Sequence, residues 1–209
     1  MRRKTGIAVT MTALVLLAYC VPAFAGDNDQ IQVSENDLWT AAGNAFAAEG
    51  EKTSALQQYQ LFLSHYDNSE RAAKAQFMLA ECYFRDGDYG QAFREYDRVR
   101  KFKGGDRYLE ASVMLRTGEC EYNLGRLDAA LQTFTRLLEK YPETYLADEA
   151  LYELGQVQAA SQSWRHLDKT YSELLAERPG YRDLPRVRFA LGIFAYVEER
   201  YGEAAEFFQ

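Results

Sequence analysis

Five small residues recur along the chain at nearly constant spacing: Gly43, Ala80, Gly118, Gly155 and Gly192, at intervals of 37, 38, 37 and 37. A period of this length constrains the fold more than any local propensity does. Each unit is too short to bury an apolar face alone, so it must stack on its neighbours. Other positions keep the same register. Twelve residues after the anchors stand Ala55, Ala92, Ala130, Leu167 and Ala204, with Leu167 the one lapse from a small residue. Sixteen after them stand Tyr59, Tyr96, Phe134, Tyr171 and Phe208. Gly50, Gly87 and Gly125 lie seven after the first three, and Pro142 and Pro179 lie 24 after the third and fourth. The first two units have Asp67 and Gly104 at that place, and Trp39 sits four before the first anchor. Each type has a physical task. Two small residues let paired helices approach, the aromatic fills the space between them and the next unit, glycine turns the chain, and proline ends a helix.

The apolar spacing within each unit is i, i+3, i+4, as in Leu131, Phe134, Leu137 and Leu138, which specifies helix. The expected helix pairs are 37–49 with 53–65, 71–86 with 89–102, 108–124 with 127–140, 145–161 with 164–177, and 184–200 with 202 onward. No stretch reads as a strand. The fold class is therefore all-α, a right-handed superhelical solenoid of about five helix-turn-helix repeats, at 37–70, 71–107, 108–144, 145–183 and 184–209. Residues 26–36 are polar and read as a flexible leader. The last unit stops at Gln209 inside its second helix, behind Phe207 and Phe208. Solenoids usually finish on a polar capping element, so the expectation is a fragment of a longer protein.

These residue types and spacings resemble the tetratricopeptide repeat, over roughly 170 residues. The run Tyr59, Phe62-Leu63, Tyr66 and Ser69 shares its cadence with Phe134, Leu137-Leu138 and Tyr141-Pro142. Ala147, Ala150, Leu154 and Gly155 follow with a further shared spacing. This variant resembles the exported repeat proteins of Gram-negative cell envelopes. Two types are the periplasmic coordinator of the Tol-Pal system and the repeat lipoprotein of the outer-membrane β-barrel assembly machinery. The chain departs from both. It has no trimerising heptad segment between Gly26 and Asp37, and its lipobox is imperfect.

Residues 1–25 carry an address. Arg2, Arg3 and Lys4 precede an apolar run from Ile7 to Val21, and Ala23-Phe24-Ala25 forms a small-x-small cleavage site before Gly26. This is the pattern of a secretory signal peptide, and the run falls short of the roughly 20 residues of a membrane span. Cleavage between Ala25 and Gly26 removes three positive charges and no acidic ones, so the formal net charge goes from −7 to −10. The expected location is the periplasm. The alternative is an outer-membrane lipoprotein through Cys20, but Leu17-Ala18-Tyr19-Cys20 places bulky Tyr19 where a small residue belongs. A membrane is otherwise reached only through an uncleaved N-terminus.

Cys82 and Cys120 remain after the signal, 38 residues apart on equivalent helices. Helix axes pack about 8–10 Å apart and a disulfide needs Cα atoms within roughly 7 Å. Buried free thiols fit that spacing better than a bridge, though a pair in an exported chain stays open.

The acidic charge leaves no basic footprint for nucleic acid. His65 and His166 stand alone on second helices, with no metal-spaced companions. No nucleophile elbow, P-loop or CxxC is present, and Gly104-Gly105 lacks the Lys-Ser/Thr that would make a phosphate cradle. The expectation is a noncatalytic scaffold without cofactor or metal. It would bind a protein or peptide partner in the cell envelope through its concave face. The alternatives are a subunit of the assembly machinery or the repeat module of a longer envelope protein.

Stacked units line the concave side with their first helices. The candidate partner-binding groove comprises Lys74, Phe77, Glu81, Phe84 and Arg85; Leu115, Glu119, Tyr122 and Asn123; Tyr152 and Gln156; and Phe189, Ile193 and Tyr196. Aromatics interleaved with polar groups suit an extended peptide or a helix, and the same spacing also suits packing between helices. Some repeats of this superfamily grip a C-terminal carboxylate with a Lys/Asn/Arg clamp. Asn44, Lys74 and Arg116 are loosely placed for one, but Glu81 and Glu119 oppose it. The acidic character favours a basic or neutral partner.

Overall fold

The computed structural model describes residues 33–48 and 52–209. The expected signal peptide, most of the leader and Gly50 lie outside the described residues. Among the described residues ten α-helices follow one another: α1 Glu35–Ala47, α2 Lys52–His65, α3 Ala72–Arg85, α4 Tyr89–Arg98, α5 Arg107–Asn123, α6 Leu127–Lys140, α7 Tyr145–Ala160, α8 Trp164–Glu177, α9 Leu184–Val197 and α10 Tyr201–Phe207. A 3₁₀ turn, Val99–Lys101, extends α4. The described residues contain no strand. The all-helical solenoid is the fold the period requires.

Helix starts follow from local caps. Ser34 Oγ accepts the Asp37 amide at 3.2 Å, so α1 begins inside the stretch expected to be leader. Asp88 accepts from the Gln91 amide at 3.0 Å and Asp106 from the Leu109 amide at 2.7 Å. Each cap satisfies a donor that the first turn leaves open.

In the second to fifth pairs the turn places one residue in the left-handed region. Gly87 and Gly125 take it at φ 77° and 72°. In the fourth and fifth units the same place is held by Gln162 and Glu199, at φ 57° and 63°. Packing of the later units thus imposes the turn on side chains that resist it. Gly104, also left-handed, has a different reason: a Cβ there would lie 1.6 Å from the Glu70 carbonyl oxygen, in the link between units.

The core is a chain of clusters, each joining one unit to the first helix of the next. Tyr59 packs with Leu79 and Cys82 of α3, Tyr96 with Cys120 of α5, Phe134 with Ala150, Leu154 and Val157 of α7, and Tyr171 with Val187 and Leu191 of α9. This is the nearest-neighbour stability of a repeat array. The residues twelve after the anchors are all buried, Leu167 included.

The anchors do not all serve the same end. A Cβ on Gly118 would come within 2.6 Å of the Phe134 ring, and one on Gly155 within 1.9 Å of the Tyr171 ring. Nothing approaches Gly43 within 4 Å. There Tyr59 lies edge-on to Trp39 and Phe46, at ring separations of 6.3 and 6.4 Å, rather than over the glycine. Close approach explains the small residue in the third and fourth units and not in the first. Among the described residues no helix is long and apolar enough to cross a membrane.

Candidate functional site

First helices touch one another across units as well as touching their own partners: α3 meets α5, and α5 meets α7. The tighter spacing puts them on the inner side of the curve, and their free faces form one continuous surface.

Glu81 of α3 and Arg116 and Glu119 of α5 make its polar centre. Arg116 Nε donates to Glu81 Oε1 at 3.0 Å and Arg116 Nη1 to Glu119 Oε2 at 2.7 Å. The Tyr96 hydroxyl, reaching up from the second helix, donates to the same Glu81 oxygen. The guanidinium also lies 5.0 Å from the centre of the Phe84 ring, a cation–π contact that fixes its plane. Arg116 is therefore ion-paired on two sides within the chain and is not a free clamp for a carboxylate, in keeping with the opposition of Glu81 and Glu119.

One turn along on α7, Glu153 has no hydrogen bond or ion pair among the described residues. Burial, then the carboxylates of Glu119 and Glu149, push its pKa from 4.5 up to about 7. Burial also raises Glu119, against the pull of Arg116. Glu149 is matched by its own partners, accepting from the Tyr181 hydroxyl at 3.0 Å and pairing with Arg182 at 2.9 Å. The surface thus holds three carboxylates, Glu81, Glu119 and Glu153, around a single guanidinium. Two more observations define its edges. Gln156 donates to the Tyr171 hydroxyl at 2.9 Å, and that hydroxyl donates to the Tyr152 carbonyl at 3.2 Å. Tyr152 stacks on Tyr171 at 6.1 Å with an 11° interplanar angle.

The expected groove residues divide on inspection. Glu81, Phe84, Glu119, Tyr122, Tyr152 and Gln156 are half-buried on this surface. Lys74 and Arg85 are exposed but lean away, Lys74 towards the Trp39 ring and Arg85 onto Phe46, 3.8 Å from the ring centre and 2.8 Å from the carbonyl. Asn123 is exposed, with its amide bonded to the Glu119 carbonyl at 2.8 Å. Phe77 packs against Tyr96 at 5.5 Å. Leu115 is a correction: at 7% exposure it belongs to the Phe134 core and offers a partner little. Its i, i+4 spacing with Glu119 placed it on the groove face, but the curvature of the stack closes over it. Phe189, Ile193 and Tyr196 stand out at 61%, 46% and 59% exposure.

Glu153 and Arg116 carry the electrostatics; Glu153 was not among the residues read from the sequence, and Arg116 entered there only as a loosely placed clamp residue. The signal was present: each lies two residues before its anchor, so consecutive first helices place opposite charges at the same register. Cys82 and Cys120 are free and buried in different clusters. Burial pushes the thiols up to about 11 and about 12, which makes them inert packing groups. His65 and His166 are exposed. Among the described residues no group of three or more His, Cys, Asp or Glu could hold a metal ion.

Comparison with known proteins agrees with this geometry. Residues 71–143, about a third of the chain, match the tetratricopeptide repeat family model. Over 122 residues, 58% of the chain, the sequence is 32% identical to the Protein CTR9 homolog of Arabidopsis thaliana, of which the match spans only 11%. Solved structures with the same fold include MamA 41-end from Desulfovibrio magneticus RS-1, at TM-score 0.68 and 17% identity over 83% of this chain and 90% of that one. A tetratricopeptide repeat protein from Parabacteroides merdae ATCC 43184 gives 0.67 at 17% identity, covering 83% and 63%. YrrB, described as a tetratricopeptide repeat protein with an unusual peptide-binding site, gives 0.60 at 17% identity, covering 83% and 82%. Residues 71–143 are tetratricopeptide repeats by sequence, and the described chain has the solenoid fold of such repeats.

Proposed function

We propose that this chain is a noncatalytic scaffold of the bacterial cell envelope, exported to the periplasm by cleavage between Ala25 and Gly26, whose inner face holds a basic or neutral segment of a partner protein. The observation that carries the reading is the row of Glu81, Glu119 and Glu153 set among Phe84, Tyr122 and Tyr152 with one guanidinium between them. Aromatic surface supplies contact area at low entropic cost, and an excess carboxylate supplies charge selection. A Lys or Arg side chain reaching Glu153 would relieve the repulsion that Glu119 and Glu149 exert on it. The peptide-binding site named for the YrrB structure supports a peptide ligand for this fold by analogy alone.

The test is photocrosslinking in growing cells from a probe at position 84, with mass spectrometry of the adduct. One dominant partner with a basic segment supports the reading. A folded, exported chain that yields no adduct removes it. The lipobox-like Leu17-Ala18-Tyr19-Cys20 keeps a membrane-anchored form as a second reading, and labelled fatty acid incorporated at Cys20 would establish it.

A further inference from the structure

The inner face already shows how this chain holds a guanidinium. At the junction of α3 and α5, Arg116 bridges Glu81 at 3.0 Å and Glu119 at 2.7 Å and lies 5.0 Å from the centre of the Phe84 ring. The two carboxylates are sunk below the surface, with side chains 12% and 14% exposed. The Tyr96 hydroxyl steadies Glu81 from the second helix. In register, each Glu stands one residue after its anchor, Phe84 four after, and Arg116 two before.

One unit on, at the junction of α5 and α7, the same places hold Glu119, Tyr122 and Glu153, with Gln156 where the second carboxylate stood. Ring and first carboxylate are kept, and the arginine is replaced by another carboxylate. The Tyr171 hydroxyl, counterpart of Tyr96, now accepts from Gln156 at 2.9 Å. The charges around Glu153 leave it unbalanced. Glu119, Glu149 and Asp183 repel it, and Arg116, the one cation that draws it, is tied to Glu81 and Glu119. Arg182 pairs with Glu149 at 2.9 Å and Arg186 leans to Asp183, so neither is directed at Glu153. A sunken carboxylate without a cation is costly. The device that removes that cost at the previous junction is a guanidinium between two carboxylates and against a ring. A planar guanidinium can bridge and stack at once, whereas an ammonium is a point charge.

We propose that the α5–α7 junction is a socket for an arginine side chain of the partner segment, its guanidinium lying between Glu119 and Glu153 against the Tyr122 ring. The socket repeats for a partner what Arg116 does within the chain. It presupposes the scaffold reading of the inner face and names the residue that face selects.

The test uses the full chain and three fluorescein-labelled nine-residue peptides of Ala, Ser and Leu, alike except for a central arginine, lysine or citrulline, followed by anisotropy. Citrulline keeps the shape of arginine and lacks its charge. The arginine peptide should bind roughly tenfold or more tightly than the citrulline peptide and roughly threefold more tightly than the lysine peptide. Glu153→Gln should bring arginine and citrulline close together and leave citrulline binding unchanged. Tyr122→Leu should remove the preference for arginine over lysine. Glu153→Arg supplies the guanidinium from within the chain, so it should raise Tm above that of Glu153→Gln and abolish the arginine preference. Absence of binding, equal binding of the arginine and citrulline peptides, or a preference that survives Glu153→Gln overturns the proposal. So does free L-arginine that binds as tightly as the peptide, because the ligand would then be the small molecule. Adducts from position 84 separate the socket from the scaffold. One dominant partner captured equally by the unaltered chain and by Glu153→Gln removes the socket alone, whereas no adduct removes both.

Discussion

Alanine placed at successive anchors should change stability in opposite directions although the positions are equivalent in sequence. Gly43 lies inside α1 with nothing within 4 Å of a new Cβ. Gly43→Ala should therefore gain the helix-propensity difference, about 1 kcal/mol, or a rise in Tm of about 3 °C for a chain of this size. At Gly118 the new methyl would meet the Phe134 ring at 2.6 Å. That ring is fully buried and has nowhere to retreat, so overpacking of about 1–3 kcal/mol outweighs the propensity gain. At Gly155 the approach is 1.9 Å, and the Tyr171 ring it displaces also holds bonds to Gln156 and the Tyr152 carbonyl. Each such bond adds about 1 kcal/mol, making Gly155→Ala the most damaging, at about 3 kcal/mol net. Gly192 is the control: a methyl there meets Phe208 at 2.5 Å, but that ring is half-exposed and can swing out, so the change is near neutral. Urea unfolding of the four variants at constant m-value reads the order directly. A uniform sign across the series would refute the claim that ring confinement, rather than repeat position, sets the cost.

The remaining expectations concern the turn, the groove charge and the groove aromatics. Gln162→Gly should stabilise by about 1 kcal/mol, because it removes a side chain from the left-handed region; thermal melts of the single variant test it. Glu153 binds its proton more tightly folded, at about 7, than unfolded, near 4.5. Between those values the folded chain holds more protons, so stability falls as pH rises. Glu153→Gln should then raise stability by about 1–2 kcal/mol at pH 8 and by little at pH 4.5, and parallel melting curves at the two pH values would disprove the coupling. Phe84→Ala and Tyr122→Ala should weaken binding of the purified chain to its partner more than they lower Tm; equal losses would assign both side chains to the core.

The helices were legible because a period is a property of the sequence. The anchors, the register aromatics and the i, i+3, i+4 spacing placed the helices to within a few residues, and the glycines at 87 and 125 marked turns the chain makes. The groove was legible in part. First helices face inward in any such stack, which singled out Glu81, Phe84, Glu119, Tyr122 and Tyr152. Leu115 went astray because spacing gives a residue's angle on its helix, not how closely the next unit closes over it.

What the sequence determined by itself is the repeat unit, its length and the faces that must be buried, since local spacing and residue size dictate them. The tertiary structure decided which of several like residues does what. It tied Arg116 to both Glu81 and Glu119 and left Glu153 without a cation. It pressed Tyr171 onto Gly155 while leaving Gly43 open. The Arg116–Glu81 pair joins side chains 35 residues apart on neighbouring units, and the contact of Tyr171 with Gly155 depends on how closely two helices of one unit pack; repeat position alone encodes neither.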